Sequence, residues 1–274
     1  MYKALFIDVD DTLLDYVPCC REAFDAAMSE LREGQNQNPS LISSTDSHRQ
    51  SDRAELFTHT RGGNKEGGNK EGQGMSYLSN DELFELFFAI SGRLFSEAKH
   101  GLHTIAEVME LYPREFVETM YKGTMYNVQR IEEDTEIFKH AFRAAWGKTC
   151  TLVPGARETI AALRARGYRL FAASNSFGHL QRNRLERAGL LPFFEDTYIS
   201  MDLGYDKPDI RFYREALRRC GLEPEEVLMI GDSMTTDILG AQAAGLGAIF
   251  FSRRGERPEG VKTVTSLPEI LKYL

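Results

Sequence analysis

The sequence predicts an α/β protein in which a parallel sheet, covered by helices on both faces, carries an inserted helical lid. Three observations predict it. From Leu152 onward, short apolar runs of strand length alternate with helical patterns, and such alternation implies right-handed crossovers in a parallel sheet. A further apolar run, Ala4 to Ile7, stands alone near the start. Between the two, Pro18 to about Lys148 holds helical patterns and no convincing strand. The first strand therefore belongs to the sheet, the chain leaves it for a helical excursion, and it returns near Pro154-Gly155.

Taken in order, Ala4–Ile7 reads as a buried strand that breaks into Asp8-Val9-Asp10-Asp11-Thr12. Helices are expected over Pro18–Glu33, Asp81–Lys99, Ile105–Leu111, Arg114–Lys122 and Thr135–Ala145. Phe84, Phe87, Phe88 and Phe95 recur at near-helical spacing and are expected in the lid core, with Trp146 packing near the return. Strands follow over Tyr168–Ala173, Thr197–Ile199, Val227–Ile230 and Ala248–Phe251. Helices lie between them at Ala156–Ala165, Leu180–Ala188, Ile210–Cys220 and Thr235–Ala244. Gly167, Gly189, Gly221 and Gly245 follow these helices, where a left-handed cap favours glycine. The expected division is a discontinuous core of residues 1–16 and 149–274 around a cap of residues 17–148. Within the cap, Gly34 to Gly74 is rich in Gly, Asn, Gln, Ser and charge, and repeats Gly62-Gly-Asn-Lys-Glu as Gly67-Gly-Asn-Lys-Glu. So little apolar area cannot offset the entropy of ordering, so a flexible surface loop is expected, with Lys65 and Lys70 as solvated charges.

The 274 residues suffice for an ample core. A formal net charge of -8 argues against a binder of nucleic-acid polymers, though a metal or a local lysine can still recruit one small anion. No stretch has the length of a membrane span, and Met1-Tyr2-Lys3 lacks the apolar region of a secretory signal. Cys19, Cys20, Cys150 and Cys220 form no zinc spacing and read as reduced thiols of a cytoplasmic protein. The histidines, among them His100, His103, His140 and His179, show no metal spacing either.

In an open parallel sheet, ligands sit beyond the carboxyl ends of the strands. Four suggestive groups fall there: Asp8-Val9-Asp10-Asp11-Thr12, Ser174-Asn175-Ser176, Asp206-Lys207-Pro208-Asp209, and Gly231-Asp232-Ser233-Met234-Thr235-Thr236-Asp237. Phosphoryl transfer through an aspartyl-phosphate uses such a set, because a carboxylate can act as nucleophile once the site neutralises charge. Mg²⁺ suits that task, being a hard cation held by one or two carboxylates, and Asp8 and Asp232 would supply the pair. Lys207 would neutralise the phosphoryl oxygens and Ser174 would donate a hydrogen bond to them. Asp10, two residues beyond the nucleophile, would protonate the leaving oxygen and then deprotonate the hydrolytic water. Asp11 is expected to cap or turn the chain. Asp237 is ranked below Asp232, since an acid in a helix first turn is favoured by the dipole alone.

These residues resemble the four motifs of the haloacid dehalogenase (HAD) superfamily: Asp8-Val9-Asp10-Asp11-Thr12, Ser174, Lys207-Pro208 and Gly231-Asp232-Ser233 with Asp237. The core match spans roughly residues 2–16 and 150–274. The resemblance implies a Rossmann-like core with an all-helical cap inserted after the first motif, Asp8 as nucleophile and Asp10 as general acid/base. It also implies Mg²⁺ bound by the Asp8 carboxylate, the Asp10 backbone carbonyl and Asp232, with Asp237 close by; Ser174, Asn175 and Lys207 are the expected substrate-binding set. Within the superfamily the chain looks most like the pyrimidine 5′-nucleotidases, through Leu152-Val-Pro-Gly-Ala, Leu180-Gln-Arg-Asn-Arg-Leu-Glu-Arg-Ala-Gly-Leu and Arg257-Pro-Glu-Gly-Val. Two departures stand out. Ser174-Asn175-Ser176 replaces the usual Thr-Asn-Gly, and the long Gly34–Gly74 insertion interrupts the cap.

The expected activity is therefore a Mg²⁺-dependent phosphomonoester hydrolase acting on a small phosphorylated metabolite, with nucleoside 5′-monophosphates leading. Sugar-phosphate or phosphoglycolate hydrolysis and phosphomutase chemistry are the alternatives. A dehalogenase has no leaving alkoxide to protonate and need not keep Asp10. A receiver domain has no use for a lid. A non-catalytic partner-binding protein has no need of all five of Asp8, Asp10, Ser174, Lys207 and Asp232.

Overall fold

The computed structural model describes residues 2–37, 78–122 and 128–274. Its sheet holds six parallel strands: β1 (Ala4–Ile7), β2 (Arg169–Ser174), β3 (Asp196–Ile199), β4 (Val227–Gly231), β5 (Gly247–Phe251) and β6 (Thr263–Val264). The order is β3-β2-β1-β4-β5-β6. Ala4 pairs with Arg169 on one side and Val227 on the other, so β1 is central. β1 is thus flanked by strands that continue outward in opposite directions, which makes its carboxyl end the switch point where a parallel sheet opens a crevice.

Both faces of the sheet are covered, which is why its strands read as continuous apolar runs rather than alternating ones. Leu5, Ile7, Leu170, Leu228 and Ile230 point to one side and pack with Ile160 and Leu163 of α5 (Ala156–Ala165) and Leu185 of α6 (Gly178–Arg187). Ala4, Phe6, Phe171, Val227 and Met229 point to the other and meet Phe212, Tyr213 and Ala216 of a helix at Ile210–Cys220. Gly189 and Gly221 close two of these helices with φ of 63° and 67°, as their place in the sequence predicts.

Between β1 and α5 lie four helices, α1 (Tyr16–Gln37), α2 (Asn80–Lys99), α3 (Ile105–Tyr121) and α4 (Val128–Trp146), with no sheet strand among the described residues. Each contributes one ring to a common centre. Phe24, Phe87, Phe116 and Phe138 meet pairwise with centroids 4.9–6.0 Å apart, many of them edge to face. Capping boxes fix two of the starts, Ser79 with Glu82 for α2 and Thr104 with Glu107 for α3. The expected phenylalanine stripe divides: Phe84 and Phe87 are buried, whereas Phe88 and Phe95 are only half-buried.

Several boundaries depart from expectation. α1 includes Gly34 to Gln37, expected as the start of the loop; the rest of that insertion, with Lys65 and Lys70, lies outside the described residues. The two helices expected over Ile105–Leu111 and Arg114–Lys122 are one, α3, with Pro113 inside it. Proline there removes the N–H that would bond the Met109 carbonyl. Arg143 of α4 replaces it, donating from Nη2 to Met109 O at 2.8 Å. The helix expected over Thr235–Ala244 is instead a π-helical stretch, Met234–Leu239, leading into a short α-helical turn, Gly240–Ala243. β6 has only two residues, too few for any periodicity to announce it. Two short elements remain: α7 (Ser200–Leu203) precedes the Lys207 loop, and α8 is the helix at Ile210–Cys220.

Candidate active site

A cavity of about 440 Å³ lies between the carboxyl edge of the sheet and the four-helix lobe. Asp8, Asp10, Ser174, Asn175, Lys207, Asp232 and Asp237 all line it. The four sequence groups converge because they leave the carboxyl ends of β1, β2 and β4 and, by way of a short helix at Ser200–Leu203, of β3, which are neighbours in one parallel sheet.

Asp8 leaves β1 still held by the sheet, its N–H donating to Ile230 O at 2.9 Å. Its two carboxylate oxygens are oriented separately: Lys207 Nζ donates to Oδ1 at 2.8 Å and Thr12 Oγ1 donates to Oδ2 at 3.1 Å. Lys207 is buried and uses its other donors on Asp237 Oδ1 at 2.6 Å and Ala173 O at 2.8 Å. All three ammonium protons are engaged. Its contribution at Asp8 is therefore a fixed positive charge rather than a spare donor.

Asp237 lies in the π-helical stretch Met234–Leu239. Its carboxylate folds back over the end of β4, where Oδ2 accepts from the Ser233 N–H at 3.0 Å. Gly231 permits this approach, because a Cβ there would overlap the Asp237 carboxylate.

Asp8, Asp232 and Asp237 each offer an oxygen within 4.8 Å of the others. Burial pushes Asp8 up to about 7; Lys207 opposes that rise and Asp237 adds to it. Burial also lifts Asp232 well above the usual carboxylate range, with Asp8 and then Asp237 adding repulsion. Lys207 is held above its ordinary value in spite of burial, because Asp237 and Asp8 outweigh the desolvation. Three carboxylates face one ammonium, so the cluster lacks positive charge, and its all-oxygen donor set fits a hard divalent cation. The cluster can hold such a metal.

Asp10 faces the same cavity but is held by a different set. Arg184 Nη1 donates to Oδ1 at 2.6 Å and Gln181 Nε2 donates to Oδ2 at 2.8 Å. Gln181 Nε2 also donates to Ser174 Oγ at 3.0 Å; a hydroxyl that accepts keeps its own proton to donate. Arg184 is fully buried, donates from Nε to Thr149 O at 3.2 Å, and stacks 3.9 Å from the Trp146 ring centroid. Gln181 and Arg184 carry no individual role in the sequence reading, where they appear only within the Leu180–Leu190 stretch that supports the resemblance. Their signal was i,i+3 spacing on one face of α6, shared with buried Leu180 and Leu185.

Two further expected residues serve the frame. Asn175 Nδ2 donates to Lys207 O, and Asn175 Oδ1 accepts from Lys207 N–H, both at 2.8 Å, so its amide clamps the Lys207 loop. Asp11 adopts a left-handed φ of 59°, accepts from the Tyr16 N–H at 3.2 Å and pairs with Arg253, which also holds Asp15. Among the described residues no helix is long and apolar enough to cross a membrane.

A sequence model of the haloacid dehalogenase-like hydrolases matches residues 2–245. Glyceraldehyde 3-phosphate phosphatase of Methanothermobacter thermautotrophicus is 42% identical over 96 residues, 35% of this chain and 42% of that one. Pyrimidine 5′-nucleotidase YjjG of Escherichia coli is 34% identical over 151 residues, 53% of this chain and 67% of that one. The chain thus spans less than half the length of the first relative. Among solved structures, YfnB of Bacillus subtilis, bound to magnesium, superposes with a TM-score of 0.70 at 24% identity, covering 100% of this chain and 98% of that one.

Proposed function

This chain belongs to the haloacid dehalogenase-like hydrolases, and from that premise we propose that it is a Mg²⁺-dependent phosphomonoesterase acting through an aspartyl-phosphate on Asp8. Its leading substrates are nucleoside 5′-monophosphates. The observation that carries this reading is the placement of Lys207 between Asp8 and Asp237, with Asp232 beside them and Asp10 on a separate support.

Asp8, Asp232 and the Asp10 backbone carbonyl would hold the metal, with Asp237 fixing Lys207 at their edge. Bound Mg²⁺ supplies charge to offset the phosphoryl oxygens. An Asp8 carboxylate oxygen attacks phosphorus and the bond from phosphorus to the ester oxygen breaks. Asp10 gives its proton to that leaving oxygen. Asp10 then takes a proton from water as the water oxygen attacks phosphorus, which releases phosphate and restores Asp8. Ser174 Oγ donates to a phosphoryl oxygen, and Lys207 keeps Asp8 oriented and its charge balanced.

The nucleotide preference has two supports: the aromatic wall that the four-helix lobe lends to the cavity, and the likeness to YjjG. Phosphate release from pyrimidine and purine monophosphates, sugar phosphates and phosphoglycolate, with Mg²⁺ and with EDTA, tests the proposal. Metal-dependent release favouring pyrimidine monophosphates is the expected result. Preference for sugar phosphates would remove the nucleotidase reading and keep the chemistry. No release from any ester would overturn both.

A further inference from the structure

Gly92 stands in the middle of α2, where glycine is ordinarily unfavourable. No local demand explains it: its φ is not left-handed, and a Cβ there would meet no heavy atom within 4 Å. The absent side chain instead borders the cavity. Gly92 lines it together with Phe88, Phe95, Ser96 and Lys99, positions four back and three, four and seven ahead, which form one stripe along a helix. Phe88 leans on Tyr16 and Phe84, with centroids at 6.1 and 5.6 Å, and Phe95 leans on Tyr112 at 6.4 Å. Seven residues apart on a helix, their Cα atoms are about 10.5 Å from each other. Two rings therefore flank a gap with a bare floor, in the same cavity as Asp8 and Lys207.

We infer that Gly92 determines specificity: the bare stretch of α2 receives a flat aromatic ring carried by the alcohol portion of the phosphomonoester, between Phe88 and Phe95. The inference rests on reading the cavity as a phosphomonoester site. A ring contacting both phenylalanines at stacking distance needs roughly 9 Å or more between them, which is comparable with the ~10.5 Å between their Cα atoms. Any side chain at residue 92 would occupy the space. Phosphomonoesters of small hydroxy acids engage the Asp8–Lys207 end alone and leave the gap to water. The residue thus separates two substrate classes without touching the reacting atoms.

The test is equilibrium binding by calorimetry, in Mg²⁺, of two phosphonates that cannot be hydrolysed: the 5′-phosphonate analogue of uridine, and 3-phosphonopropionate. Because nothing turns over, the outcome is independent of whether Asp8 is the nucleophile. Gly92→Leu is expected to weaken the uridine analogue at least tenfold while 3-phosphonopropionate stays within twofold. Gly92→Ala, which favours the helix, is expected to raise the thermal midpoint and weaken the uridine analogue about threefold. It decides the matter if the leucine variant does not fold. Equal losses for both ligands, no loss for either, or no binding of the uridine analogue to the unaltered protein would each overturn the inference.

Discussion

Arg184 Nη1 lies 2.6 Å from Asp10 Oδ1, although 174 residues separate them. The guanidinium is also stacked on Trp146 and bonded to Thr149 O, at the point where the chain returns from the four-helix lobe. Asp10 is therefore aimed by a residue anchored to that return segment. Arg184→Ala is expected to lower kcat/KM for alkyl phosphates about 100-fold, since a small misplacement of a proton donor is costly. Activity on 4-nitrophenyl phosphate, whose leaving group needs no proton, should fall far less. Arg184→Lys should recover part of the loss. Equal losses on both esters would reduce Arg184 to a structural support.

Asp8 should couple stability to pH. Its carboxyl is raised from 3.8 to about 7 in the folded chain. Between those values the folded state binds the extra proton, so this group's contribution to stability is lost as pH rises through 7. Asp232 is shifted in the same direction. In EDTA, the thermal midpoint is expected to fall from pH 5 to pH 8, and Asp8→Asn should flatten that fall. Mg²⁺ should restore stability most at the higher pH, where the carboxylates are free of protons. Scanning calorimetry across that range checks the sign, and a midpoint that rises with pH in EDTA would refute it.

Asp206 Oδ2 accepts from the N–H of Ile105 at 2.9 Å, tying the residue before Lys207 to the first turn of α3. An acid at a helix N-terminus is worth about 0.3–1 kcal/mol, and here it spans the two lobes. Asp206→Ala should raise KM several-fold with little change in kcat, as measured by steady-state kinetics. A loss confined to kcat would place the effect at Lys207 instead.

Arg143 supplies the donor that Pro113 withholds from Met109 O. Arg143→Met should destabilise the protein by about 1–3 kcal/mol, the cost of a buried carbonyl left without a partner. Adding Pro113→Ala restores the backbone donor, so the double variant should regain part of that stability in a denaturant titration. Simple additivity of the two changes would mean that the carbonyl was not the cause.

Strands β1, β2, β4 and β5 were legible because a parallel strand buried on both faces must be apolar throughout. Their order on the chain placed Asp8, Ser174 and Asp232 at one edge. The aspartates were conspicuous for the same reason, as charges ending runs that tolerate none. α3 was misread because proline is a local signal, whereas the arginine that compensates it comes from another helix. The Met234–Leu239 stretch has no periodicity that separates a π turn from an α-helix, yet Asp237, which meets Lys207, lies within it.

Composition and periodicity by themselves determined the sheet class, the helical excursion and the set of acids, because those depend on which residues must be buried and which cannot be. Only the tertiary structure decided what each acid faces. Asp10 is held by Arg184 and Gln181, Asn175 clamps the Lys207 backbone, and Gly92 lines the cavity together with Phe88 and Phe95. Those relationships depend on side chains distant in sequence meeting at fixed distances, and local propensity carries no information about such meetings.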